Sequence, residues 1–136
     1  MEKFYIEDKK FFYDIKSLNR TIEKLEVRSS PNSYNISIFK ESPSKVIKKL
    51  LKAMKNPVLL IDSKVFQIYF KTTNFKNVLI YKIVAKESNK NINVAIKFTE
   101  FLESKQITKS STIVVVGGGI IQDLAAFSCA IYKRGV

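Results

Sequence analysis

The chain has 136 residues, nearly half of them apolar, which suits one modest domain with a real core and excludes a disordered polymer. Its formal charge is +12, yet the basic residues are lysines apart from Arg20, Arg28 and Arg134 and form no dense block. Phosphate and base recognition favour arginine forks, so this reads as a diffuse lysine surface that attracts small anions, with no nucleic acid as partner.

Residues 1–22 are aromatic and charged without a clean period and are expected to form an irregular arm ahead of one domain over 23–136. No leader pattern opens the chain, and no apolar run approaches a bilayer span. No membrane partner is therefore expected. The lone Cys129 suits inert packing in a reducing compartment, so the expected location is cytoplasmic. Leu25 and Val27, a turn at 29–33, and Tyr34, Ile36 and Ile38 alternate as a β-hairpin would. Ser42 and Pro43 open a helix with Val46, Ile47, Leu50, Leu51 and Met54 as its apolar stripe, ended by Asn56 and Pro57.

Residues 58–61 then read as a fully buried strand ending at Asp62, followed by a short helix over 65–70 and a strand over 77–84. A helix from about Ser88 to Ser104 carries Ile92, Ala95, Ile96, Thr99 and Leu102 on one face. The loop 106–111 leads to a last strand, 113–116, and three glycines. The helix beyond is apolar nearly all round (Leu124, Ala125, Ala126, Phe127, Ala130, Ile131) and is expected to be buried, with Asp123 in its first turn. Alternating strands and helices predict an α/β fold, a mostly parallel Rossmann-like sheet covered on both faces, with an N-terminal β-hairpin.

Three places fall at the carboxyl ends of these strands, where an open α/β sheet binds ligands. Asp62 either accepts hydrogen bonds from ribose hydroxyls or caps the helix that follows. Glu87 and Lys90, three residues apart at a helix start, either face one ligand edge or form a solvated charge pair. Gly117, Gly118 and Gly119 with Asp123 either bring backbone amides to a phosphate or dinucleotide, or make only a tight turn. A single glycine would serve a turn, and a new helix offers free amides and a positive dipole end to an anion. The run matches neither the spaced glycines of the common dinucleotide fingerprint nor the P-loop.

Residues 117–127 followed by Lys133, Arg134 and Gly135 resemble the Gly-Gly-Gly-x-x-Gly-Asp-x-x-Gly-Phe…Arg-Gly signature of 3-dehydroquinate synthases, members of the sugar-phosphate cyclases. Upstream, the hairpin at Tyr34, the run ending at Asp62, and Glu87-x-x-Lys90 follow in the same order, so the resemblance covers roughly 23–136. It implies an incomplete NAD-binding domain with Asp62, Glu87, Lys90, Gly118, Gly119, Ile120 and Asp123 at the cofactor and Arg134 at the phosphorylated substrate. It further implies conversion of 3-deoxy-D-arabino-heptulosonate 7-phosphate to 3-dehydroquinate and phosphate, on the shikimate route to aromatic amino acids. A homodimer when full length is also implied. So is a zinc or cobalt ion, held by a glutamate and two histidines of a following helical domain. This chain has no histidine, and it looks like the family's N-terminal part with that metal-binding domain and the catalytic residues absent. No catalysis is expected of it alone.

Gln122 and Ala126 stand where the family has glycine, Lys86 replaces the glycine before Glu87, and Lys64 replaces a common asparagine. These departures leave room for a related cyclase with a different substrate. A non-catalytic NAD-binding module is a reading of another class. The iron-dependent alcohol and glycerol phosphate dehydrogenases share the general fold, but the Asp123…Arg134-Gly135 continuation favours the cyclases.

Overall fold

The structure is a computed structural model that describes the backbone of strands β1 (Glu2–Ile6), β2 (Lys9–Tyr13) and β3 (Lys24–Val27) and all of residues 34–136. It divides into two compact units, Met1–Glu41 and Ser42–Val136; the boundary expected at 22/23 falls inside the first.

In the first unit β1 pairs antiparallel with β2, with Phe4 opposite Phe11. The irregular arm expected over 1–22 is thus corrected to include two strands. Aromatic residues favour the extended backbone even where strict alternation is lacking, and here that preference outweighs the missing period. The second pair is the hairpin read from the sequence. β3 runs antiparallel to β4 (Tyr34–Ser37), with Leu25 opposite Ile36 and Val27 opposite Tyr34. Its turn, 28–33, lies outside the described residues.

In the second unit α1 (Pro43–Ala53) starts with proline at the position where a missing N–H costs nothing, and it buries Val46 and Leu51. β5 (Pro57–Asp62), α2 (Ser63–Tyr69), β6 (Leu79–Ile83), α3 (Ile92–Ser104), β7 (Thr112–Val116) and α4 (Gly119–Ile131) follow. The sheet order is β6-β5-β7, all parallel. β6 is shorter than the expected 77–84, because Asn77 turns the chain at φ 58° just before it. α3 starts later than Ser88, because a one-turn 3-10 helix, Glu87–Asn89, intervenes.

The central strand β5 carries the core. Val58, Leu59, Leu60 and Ile61 are all fully buried, and the two faces of the strand feed different clusters. Val58 and Leu60 join Ala95, Phe98 and Leu102 of α3 and Ile121, Leu124 and Ala125 of α4. Leu59 and Ile61 join Leu51 of α1, Phe70 and Val114. Helices on both faces of a parallel sheet explain why β5 reads as an unbroken apolar run. This is the parallel, Rossmann-like α/β architecture expected. α4 is a partial correction. Ile121, Leu124, Ala125 and Ser128 are buried, but Phe127 and Ile131 are about half exposed, at 46% and 50%. Only one face of α4 meets the sheet and α3, so composition overstated its burial.

Candidate functional site

The strand register assembles the site. Ile61 pairs with Val116 and Asp62 with Ile83, so the segments that leave β5, β6 and β7 emerge side by side at one edge. They carry Asp62, Glu87 with Lys90, and the glycine turn.

The loop after β6 is held by two asparagines. Asn89 donates its side-chain amide to the Val84 carbonyl at 2.8 Å, and Asn91 donates to the Ser88 carbonyl at 2.7 Å. Asn91 also accepts from the Val94 amide at 3.1 Å, capping α3. The Lys90 amide donates to the Glu87 carbonyl at 2.9 Å, which closes the 3-10 turn. Lys90 itself leaves the 3-10 helix as its C-terminal cap, and Glu87 acts on its ammonium only as a minor nearby charge. Asn89 and Asn91 are the residues that sequence reasoning passed over. The signal for Asn91 was available, an Asn directly before an apolar-periodic run, but a helix start placed near Ser88 obscured it.

Lys90 finds its main partner elsewhere. Its ammonium lies 2.8 Å from the Asp123 carboxylate, tying the loop after β6 to α4. The hydrogen bond and charge of Asp123, aided by Glu87, raise the Lys90 pKa above its ordinary value despite an opposing desolvation effect. Asp123 is the fifth residue of α4 and not in its first turn, a correction to the sequence reading, because the helix begins only at Gly119. Beside the ion pair opens a cleft of about 280 Å³ floored by Ile92, Ala95, Leu124 and Phe127.

The three glycines divide into two kinds. A Cβ on Gly117 would lie 2.8 Å from Cγ1 and 2.9 Å from Cβ of Ile121, so this position is glycine because α4 packs against it. A Cβ on Gly118 or Gly119 would meet nothing within 4 Å, and neither residue has a positive φ. Neither the chain's packing nor its backbone conformation requires glycine at those two positions. Gly118 also occupies the cap of α4 without a side-chain oxygen to offer its amides; the Ile121 amide donates to the Gly118 carbonyl at 3.0 Å, while no side chain caps those of Gly119 and Ile120. Gln122 reaches back and donates to the Gly117 carbonyl at 3.2 Å, an added brace on the turn.

Asp62 caps α2, accepting from the Lys64 amide at 3.0 Å. The capping alternative is therefore realised in the structure, on the same edge as the glycines. Arg134 is not brought to this edge. It follows α4, whose 13 residues put it about 20 Å from the glycine turn at ~1.5 Å per residue. Among the described residues no group of three His, Cys, Asp or Glu side chains stands close enough to hold a metal ion, and no helix is long and apolar enough to cross a membrane.

Residues 80–136 match the family of 3-dehydroquinate synthase N-terminal domains. The 3-dehydroquinate synthase of Streptococcus thermophilus is 30% identical over 122 residues, covering 83% of this chain and 34% of that enzyme. That of Clostridium acetobutylicum is 32% identical over 124 residues, covering 85% and 35%. The chain thus spans about a third of the length of these relatives. Among solved structures, 2-deoxy-scyllo-inosose synthase complexed with carbaglucose-6-phosphate, NAD+ and Co2+ superposes with a TM-score of 0.63 at 17% identity, covering 83% of this chain and 33% of that one. The 2-epi-5-epi-valiolone synthase of Streptomyces hygroscopicus with NAD+ and Zn2+ bound superposes at 0.54 and 17%, covering 75% and 33%. Those two likenesses establish the shared fold. By its motif order and these matches together, residues 80–136 carry the N-terminal domain of the 3-dehydroquinate synthase family.

Proposed function

We propose that this chain supplies the NAD-holding part of a 3-dehydroquinate synthase. The complete enzyme converts 3-deoxy-D-arabino-heptulosonate 7-phosphate to 3-dehydroquinate and phosphate in the cytoplasm, as a homodimer. The observation that carries the reading is the open space over Gly118 and Gly119 at an uncapped helix start. A backbone left bare with no internal reason suits close approach by a pyrophosphate, which accepts hydrogen bonds from helix-terminal amides. Asp62 offers a carboxylate to ribose hydroxyls from the neighbouring strand end, and Lys90 offers a charge that stays in place at neutral pH. These residues fit NAD, which when bound would supply an acceptor for the hydride leaving a hydroxyl-bearing carbon of the substrate.

The chain's own share of the work is binding and orientation. Glycine amides fix the phosphates, Asp62 fixes a ribose, and the Lys90–Asp123 pair sets the mouth of the apolar cleft beside them. Arg134 serves substrate phosphate or carboxylate in the site of a neighbouring subunit, since α4 carries it away from its own glycine turn. The described residues bring no three His, Cys, Asp or Glu side chains together and so do not fit a zinc or cobalt centre. The reading is tested by calorimetric titration of the purified chain with NAD alongside a phosphate-release assay on the heptulosonate phosphate. Saturable NAD binding without turnover is expected. Turnover by the 136-residue chain, or no binding of NAD even at millimolar concentration, overturns it. A related cyclase with a different substrate is the second reading, since Gln122 and Ala126 stand where the family has glycine.

A further inference from the structure

We propose a second ligand site at the amino edge of the sheet, shaped for a small organic anion with a flat apolar body. A cavity of about 450 Å³ opens there, within the range of about 300–1,000 Å³ of small-molecule sites. Leu51, Pro57 and Phe75 supply apolar walls, and Lys48, Lys52 and Lys76 supply positive charge. No carboxylate lines it, and none of the three lysines forms an ion pair among the described residues.

The walls are held from behind. Leu51 is buried in the core cluster beneath α1, and the Phe75 ring lies 5.9 Å from that of the fully buried Phe70. Asn77, at φ 58°, makes the corner that places Lys76 beside them. Charge then selects the occupant. Lys48 and Lys52 are four residues apart on one helix, where like charges repel, and an anion between them relieves that. The carbonyl end of α1 opposes with about half a negative charge, which three full positive charges outweigh. The aromatic and aliphatic walls favour a flat apolar body over a fully hydrated ion. The site is separate from the glycine turn. β5 runs from Pro57 at this cavity to Asp62 at the other edge, about 17 Å at ~3.3 Å per residue.

The test is a titration of the full ¹⁵N-labelled chain, followed by amide shifts, with phenyl phosphate as probe and inorganic phosphate and benzyl alcohol as controls. Saturable shifts at residues 48–52 and 74–78, at least about tenfold tighter for phenyl phosphate than for either control, are expected. The doubly substituted Lys48→Gln, Lys76→Gln chain, both positions being exposed, should melt like the parent and bind about tenfold more weakly. Equal binding of inorganic phosphate means a charged surface and no shaped site, and equal binding of benzyl alcohol means an apolar crevice; either overturns the proposal. So do shifts confined to 117–123, or an unchanged affinity in the substituted chain. NAD binding at the glycine turn is independent of all these outcomes.

Discussion

At the scale of single residues, neighbouring glycines have different reasons to exist. Gly117→Ala drives a methyl to within 2.8 Å of Ile121, whose position is fixed in the core; overpacking of this kind costs about 1–3 kcal/mol, measurable as a lower denaturation midpoint at unchanged slope. Gly118→Val meets no atom of the chain, so stability should fall only by the lost N-cap preference, about 1 kcal/mol or less, while NAD affinity falls at least about tenfold, because the branched side chain fills the space over the amides. Calorimetry and denaturation on the same two variants separate the roles. Equal loss of NAD binding in both, with equal destabilisation, would show that Gly117 and Gly118 merely shape the turn. Lys90 adds a pH signature. Its pKa is raised by Asp123, so whatever the pair contributes is fully present below the ordinary lysine value of 10.5 and disappears as pH rises through the higher folded value. A carbon-detected NMR titration of the Lys90 side chain should place its midpoint above that of an unstructured lysine, and Asp123→Asn should bring it back down.

At the scale of elements, Asp62 is both a helix cap and a candidate cofactor ligand, and the two can be pulled apart. Asn caps about as well as Asp, so Asp62→Asn should leave stability within about 0.5 kcal/mol. It removes the carboxylate that favours ribose hydroxyls, so NAD affinity should drop several-fold. Asp62→Ala should lose both, with about 1 kcal/mol of stability gone. If Asp62→Asn binds NAD like the parent, the cap is the whole role of this residue. The strand β5 and the order of helices were legible in the sequence because an unbroken run of apolar residues bounded by Pro57 and Asp62 has few other homes. The start of α3 was not legible, since Asn89 and Asn91 spend their amides on loop carbonyls and delay the helix by a turn. The exposure of Phe127 and Ile131 was hidden for another reason. Composition reports how apolar a helix is, but not how many neighbours the sheet provides to cover it.

At the scale of the molecule, the candidate site was legible as three sequence segments, but their union was not. That union depends on parallel register, which sets Asp62 beside Ile83 and Ile61 beside Val116, and on the long-range pairing of Lys90 with Asp123. The sequence instead offered Glu87 as the nearer partner, since spacing shows only contacts within one helix. Charge, by contrast, is a whole-chain property that needs no fold. A net +12 gives a field that concentrates anions at every site on the surface, and salt shortens its reach from about 10 Å at 0.1 M to about 3 Å at 1 M. Hydrogen bonds from the glycine amides act at contact distance and survive that screening. Dinucleotide binding should therefore weaken several-fold as sodium chloride rises from about 0.05 to about 0.5 M, and then level off at the affinity the local contacts sustain. Adenosine, which is neutral but offers the same ribose to Asp62, should bind with little change over that range. Parallel calorimetric titrations with the two ligands check this: an equal fall for both would assign the loss to the protein's own conformation, and a flat profile for NAD would show that the lysine surface does nothing for the site.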